Sequence, residues 1–448
     1  MSDDLHWLGI ADIGAGYRNG SLTPDRLVVA LLARIAALDG RLNAFVHVDR
    51  DGAVAAAAAA TAELRNSDDR GALHGIPIGI KDIIDVAGLP TTCHSRTRLG
   101  MVADTDADVV ATLRNAGAII IGKLATHEFA IGGPSFDLPL PPARNPWNRE
   151  HHPGGSSSGA GAAVAAGFIP AAIGTDTAGS VRNPASCCGI AGLKPTYGSV
   201  SRTGVFPLAW SLDHVGPLAR SIADVAILHG VMTGTDTAPA AAAAGLRIGY
   251  VRHFHTLDMV ADAEVTGALD SVAATLAAAG ASVSDAVLPP LGEFALVNRF
   301  ILQAEGFAIH GRPLRERPQD YAERTRRALL PGAFLSAEDY LTARRRQALL
   351  TAAVDRVFAD FDVLLTASSM TPACRIDDAV EIDRTYLLQA RGPFNVTGHP
   401  ALAMMAGLSA GGLPLSVQFV ARRGEEATLF SAASAWERAM GGPMRPAL

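Results

Sequence analysis

Apolar positions along this chain switch between two periods, and the switching lays out an alternation of helices and strands. Thr23-Pro24 reads as an N-cap followed by proline at the first helical position. From there Leu27, Leu31, Leu32 and Ile35 recur at helical spacing to about residue 38. An alanine-rich helix is predicted over 51–66. Ile76, Ile78 and Ile80 then alternate with Pro and Gly, which predicts a strand ending in a turn, with Lys81 closing the apolar run. A helix over 106–116 should feed a strand at 118–121, and a small-residue helix over 159–167 a short buried strand at 171–175. Further on come helix 221–233, strand 246–251, helix 262–279 and strand 282–288. Long helical patterns cover 291–310 and 336–360, followed by a strand at 363–366. Two antiparallel strands, 401–409 and 415–422, flank AGGLP, and a last helix runs over 425–440. This alternation is that of a layered α/β protein. With no internal repeat and no long linker, residues 1–448 are expected to form one large domain.

Composition narrows the function classes. Hydrophobic residues make up 49% and charged ones 18%, enough for a sizeable core and too apolar for disorder. The net charge of −6, with no dominant basic run, argues against nucleic acid as a partner. Arg344-Arg345-Arg346 lies in a helical pattern with acidic neighbours and reads as a solvated face. No run reaches the roughly 18 apolar residues that span a bilayer, so no membrane partner is expected. The acidic start MSDDLHWLGIAD lacks a signal-peptide core. Cys93, Cys187, Cys188 and Cys374 show no metal-ligand spacing and are too few for a disulfide scaffold, so a cytoplasmic setting is expected. Gly117 to Lys123 matches the start of a phosphate-binding loop, GxxxxGK. Three isoleucines fill it, however, and Leu124 stands where a magnesium-holding Ser or Thr belongs. It reads as a strand with a trailing lysine.

The chemistry concentrates between Gly154 and Tyr197, where glycine, serine and alanine crowd two turns centred on Ser156 and Ser180. A nucleophile elbow fits Gly155-Ser156-Ser157-Ser158-Gly159 as a pattern, but the preceding NREHHPG is a turn where the elbow needs a strand. None of the thirteen histidines, His399 included, stands in a telling context. A lysine can replace the imidazole as base if burial keeps it neutral, and Lys81 at the end of IPIGI meets that condition. Asp82 follows it directly, yet neighbouring strand residues point to opposite faces. Ser180 lies in a turn whose amides could bind an oxyanion, with Ser156 available to pass a proton. The plain alternative leaves all three residues to capping and turns.

These segments resemble the amidase signature family of Ser–cis-Ser–Lys hydrolases. The likeness rests on PGGSSSGAGAAVAAG…GTDTAGSVRNPASCCGIAGLKPTYG, on HGIPIGIKDIIDVAGLPTT and on VSRTGVFPLAWSLDHVGPLARSIAD. The C-terminal GHPALAMMAGLSAGGLPLSVQFVAR is a weaker match. The 75 residues from Lys81 to Ser156 and the 24 from Ser156 to Ser180 suit the family. The resemblance implies a central mixed β-sheet covered by helices on both faces. It implies Ser180 as nucleophile, Ser156 as bridging serine after a cis Gly155–Ser156 peptide, and Lys81 as base. It places Thr177, Ala178 and Gly179, with the Ser180 amide, in an oxyanion hole, and Ser157, Asp176 and Arg182 in support. No cofactor or metal is implied, and a homodimer suits such enzymes.

Two departures bear on the substrate. Ala178 replaces a glycine common before the nucleophile. After Ile131-Gly132-Gly133, the stretch FDLPLPPARNPW replaces a more polar segment, and Phe136, Leu138 and Leu140 become available to line the pocket beside Ile131 and Gly132. The expected activity is therefore hydrolysis of small, apolar or aryl amides, with carbamates (urethanes) and esters as relatives. The alternative is the glutamine-hydrolysing A subunit of a tRNA-dependent amidotransferase.

Overall fold

A computed structural model describes residues 5–235, 243–387 and 389–448. Eleven strands among them form one sheet: β1 (Phe45–Val48), β2 (Pro77–Lys81), β3 (Ile119–Leu124), β4 (Ala171–Asp176), β5 (Ala191–Lys194), β6 (His214–Ala219), β7 (Arg247–Tyr250), β8 (Ser282–Asp285), β9 (Val363–Ala367), β10 (Ala401–Leu408) and β11 (Pro414–Ala421). Their spatial order is β1-β3-β2-β4-β6-β5-β10-β11-β9-β7-β8. Parallel pairing holds in β3–β2–β4 and in β9–β7–β8, and the strands between pair antiparallel. The sheet is mixed, as expected.

Helices cover both faces because the central strands are apolar on both. In β3, Ile119 and Ile121 enter one core and Ile120 the other, the period of a strand buried on two sides. The first core gathers the helices Pro24–Leu38, Arg50–Arg65, Ser158–Ala165 and Arg182–Cys188. The second and larger one takes Ile222–Thr233, Ala263–Ala278, Leu291–Glu316 and Glu426–Met440. Leu27, Leu31, Leu32 and Ile35 are buried, as their spacing requires. Thr23 occupies the N-cap position, but its hydroxyl contacts the Asp25 carboxylate and leaves the helix amides alone. Cap bonds form instead at Asp49, which accepts from Gly52 N, and at Ser336, which exchanges bonds with Asp339.

The helix Ser158–Ala165 is wholly buried, and its small residues have a geometric cause. A Cβ on Gly159 would stand 2.2 Å from Ala44 O and 2.4 Å from Ala125 N, both backbone atoms that cannot step aside. The helix therefore lies directly against the chain leaving β3, which brings Ser156 and Ser157 over the ends of β2 and β4.

Candidate active site

Because β2 and β4 run parallel and adjacent, with Ile80 opposite Ile173, their C-terminal ends emerge on the same edge of the sheet. Lys81, the last residue of β2, is fully buried. Its Nζ lies 2.7 Å from Ser156 Oγ and 2.8 Å from Thr175 Oγ1. Burial pushes the ammonium pKa down to about 7, against the pull of Asp176, Asp213 and Cys93. Asp82 points away from this cluster, and its carboxylate meets Lys123 Nζ at 3.3 Å. Lys123 also donates to Pro90 O and Thr91 Oγ1, so the lysine of GxxxxGK is a buried partner inside β3.

The two serine turns are stitched together. The Gly155–Ser156 peptide is cis. Ser157 N donates to Ser180 O at 3.1 Å, while Ser157 Oγ donates to Thr175 O and accepts from Thr175 N. Ser156 O accepts from His127 N at 3.0 Å. Ser180 is half-buried and lines, together with Ser156, a cavity of about 90 Å³. Thr177, Ala178 and Gly179 line the same cavity.

A buried polar cluster holds the Ser180 loop from beneath. Burial alone would raise the Asp176 pKa, but the Arg182 guanidinium and hydrogen bonds to the carboxylate hold it well below the usual range. Arg182 donates Nε to Asp176 Oδ2 at 3.0 Å and Nη2 to Oδ1 at 2.9 Å. The carboxylate also accepts from the amides of Gly179 (2.8 Å) and Val181 (3.0 Å). Arg182 Nη1 continues to Gln418 Oε1, and Asn395 Nδ2 reaches Asp176 O and Oδ1. Asp213, pushed up to about 6 by burial, accepts from the Thr177 hydroxyl at 2.6 Å. Asp176, Arg182 and Ser157 thus brace this loop.

The structure corrects the pocket read from the sequence. Ile131 and Gly132 line the cavity, whereas Phe136 and Leu138 do not. Phe136 is 56% exposed with the Arg144 guanidinium over its ring, and Leu138 is buried beside His94 and Thr126. The proline-rich loop turns Phe136 out, buries Leu138 and leaves Leu140 half-buried, and none of the three lines this cavity. The apolar wall comes instead from Ile131, Leu208 and Leu302. The Gly179 amide is also already bonded to Asp176.

Several cavity and bracing residues escape a reading of the sequence: Thr175, His127, Gln389, Arg391 and Asn395. Only Thr175, a polar residue at the end of a buried strand, carries a local signal. His127 packs against Gly155, where a Cβ would stand 2.1 Å from its Cε1. Burial, and then the nearby Lys81 charge, hold its imidazole neutral.

A buried lysine joined to a serine, beside a second serine open to a cavity at the edge of a mixed α/β sheet, is an arrangement suited to acyl transfer. The chain belongs to the amidase signature family, whose members hydrolyse C–N bonds: the family model described as Amidase matches residues 26–430. The A subunit of the Glutamyl-tRNA(Gln) amidotransferase of Chloroflexus aggregans is 35% identical over 475 residues, covering 97% of each chain. Among solved structures, the peptide amidase of Stenotrophomonas maltophilia is similar with a TM-score of 0.86 at 29% identity, covering 98% of each chain. The corresponding A subunit from Thermotoga maritima gives 0.81 at 30% identity, covering 97% of this chain and 95% of its own. The protein is an amide hydrolase. No helix among the described residues is long and apolar enough to cross a membrane.

Proposed function

We propose that this enzyme hydrolyses small amides through an acyl-enzyme on Ser180. The observation that carries the reading is the buried contact between Lys81 Nζ and Ser156 Oγ at 2.7 Å, with the lysine pKa brought to about 7. Neutral Lys81 takes a proton from Ser156 as Ser156 takes that of Ser180, and Ser180 Oγ bonds to the carbonyl carbon. The C–N bond then breaks as the proton returns along the same relay to the leaving amine. Water then gives a proton to Ser156 and through it to Lys81 as its oxygen bonds to the acyl carbon. The bond to Ser180 Oγ breaks, the proton returns to that oxygen, and the acid leaves. The amides of Thr177, Ala178 and Ser180 are the donors for the developing oxyanion, since that of Gly179 serves Asp176. No cofactor enters this sequence of steps. Ile131, Leu208 and Leu302 suit an alkyl or aryl group on the amide or carbamate.

A second reading, glutamine hydrolysis within an amidotransferase, is favoured by the amidotransferase relatives at 35–36% identity. The deciding experiment is a hydrolysis panel of acetanilides, aryl carbamates, aliphatic amides and glutamine, with intact-mass detection of the acyl-enzyme. Wild type should carry the acyl mass and Ser180→Ala should neither carry it nor turn over. An acyl adduct that survives Ser180→Ala overturns the mechanism. Glutamine as the preferred substrate, with other amidotransferase components co-purifying, selects the second reading.

A further inference from the structure

Among the buried carboxamides around the Ser180 loop, Asn395 and Gln418 are fully used. Asn395 donates to Asp176 and accepts from Arg182 Nη2 at 2.6 Å. Gln418 accepts from Arg182 and donates to Ala390 O at 3.0 Å. Gln389 differs: it is 7% exposed and lines the cavity beside Ser180, and its buried Oε1 has no hydrogen-bond partner among the described residues. Such an acceptor bears its full desolvation cost until a donor arrives. The Arg391 guanidinium, packed against Gly179 and held by Ser368 O and Ser369 Oγ, lines the same wall. A permanent cation there disfavours an ammonium donor and leaves a neutral N–H as the matching group.

We infer that Gln389 is a specificity-determining residue whose Oε1 accepts the N–H of the substrate amide. This rests on the reading that Ser180 attacks within this cavity. The enzyme then selects primary and secondary amides and N–H carbamates over tertiary amides and esters. A site that loses its hydrogen bond to substrate discriminates strongly, because the buried group is left unpaired.

The test compares acetanilide, N-methylacetanilide and phenyl acetate as substrates of wild type, Gln389→Met, which keeps bulk without the acceptor, and Gln389→Glu, which keeps an acceptor. For Gln389→Met, kcat/KM should fall about tenfold or more for acetanilide and change little for the two substrates lacking N–H. Gln389→Glu should retain the N–H preference. If Gln389→Met does not fold, Gln389→Ala takes its place. An equal fall on all three substrates, or a wild type indifferent to the N–H, overturns the inference. Acyl-Ser180 formed from phenyl acetate keeps the nucleophile reading standing in either case, so the two failures are distinguishable.

Discussion

Asp82 directly follows Lys81 in the chain, yet its carboxylate lies against Lys123 Nζ at 3.3 Å, on the far side of the strand from Ser156. This pairing keeps the nearest acidic side chain in sequence away from the lysine that the proposed mechanism requires uncharged. It also makes Lys123 a stability element. Lys123→Met strands a fully buried carboxylate and should cost about 3–5 kcal/mol, measured by urea unfolding. The double variant Asp82→Leu/Lys123→Met should recover most of that loss.

Lys81 sets a pH dependence with a defined sign. With its folded pKa near 7, the neutral fraction grows as pH rises, so kcat/KM should climb through about pH 7 and level above it. Lys81→Met should lose at least about a hundredfold in kcat. His127→Gln should leave the midpoint in place, and a midpoint that moves with His127 would make the imidazole the base.

The same group acts on stability. Its pKa lies below the unfolded value, so between about pH 7 and 10.5 the unfolded chain binds more protons than the folded one. This contribution therefore makes stability rise with pH across that window, by up to about 1.4 kcal/mol per unit. Lys81→Met should flatten the slope, which denaturant midpoints measured from pH 6.5 to 9.5 would register.

Gly159→Ala should destabilise by about 1–3 kcal/mol or more, because the new methyl meets the backbone at Ala44 and Ala125. The readout is the shift in Tm. Gly267→Ala, where nothing lies within 4 Å, is the control and should leave Tm unchanged or slightly raised.

Arg182→Met should both unfold more readily and lose activity, since it leaves Asp176 buried without its cation and frees the loop that carries Ser180. A cost of about 3–5 kcal/mol is expected from the stranded charge. Asn395→Ala should cost less, about 1–3 kcal/mol, with a fall in kcat larger than any change in KM.

Legibility follows sequence distance and the sign of the local pattern. Lys81 is readable because a charge closing the run IPIGI is anomalous, and the serine turns are readable because their small-residue density is. The strands β5 and β6 do not stand out in the sequence. In β6 the pair Gly216-Pro217 sits opposite Gly174 and Ile173 in the middle of the sheet, where proline normally argues against a central strand. Phe136 and Leu138 are misplaced by sequence because composition shows that a loop is apolar but not which way each side chain turns. Gln389, Arg391 and Asn395 carry no local signal, since contacts of the latter two with the loop at 176–182 span about 200 residues.

The clasp between Arg182 and Gln418 joins residues 236 positions apart. During synthesis the Ser180 loop leaves the ribosome long before Asn395 and Gln418 exist to grip it. A chain that ends before residue 395 thus carries Lys81, Ser156 and Ser180 and still lacks the Asn395 and Gln418 contacts to the loop at 176–182. The bracing of that loop is completed only once the segment carrying Asn395 and Gln418 has been made.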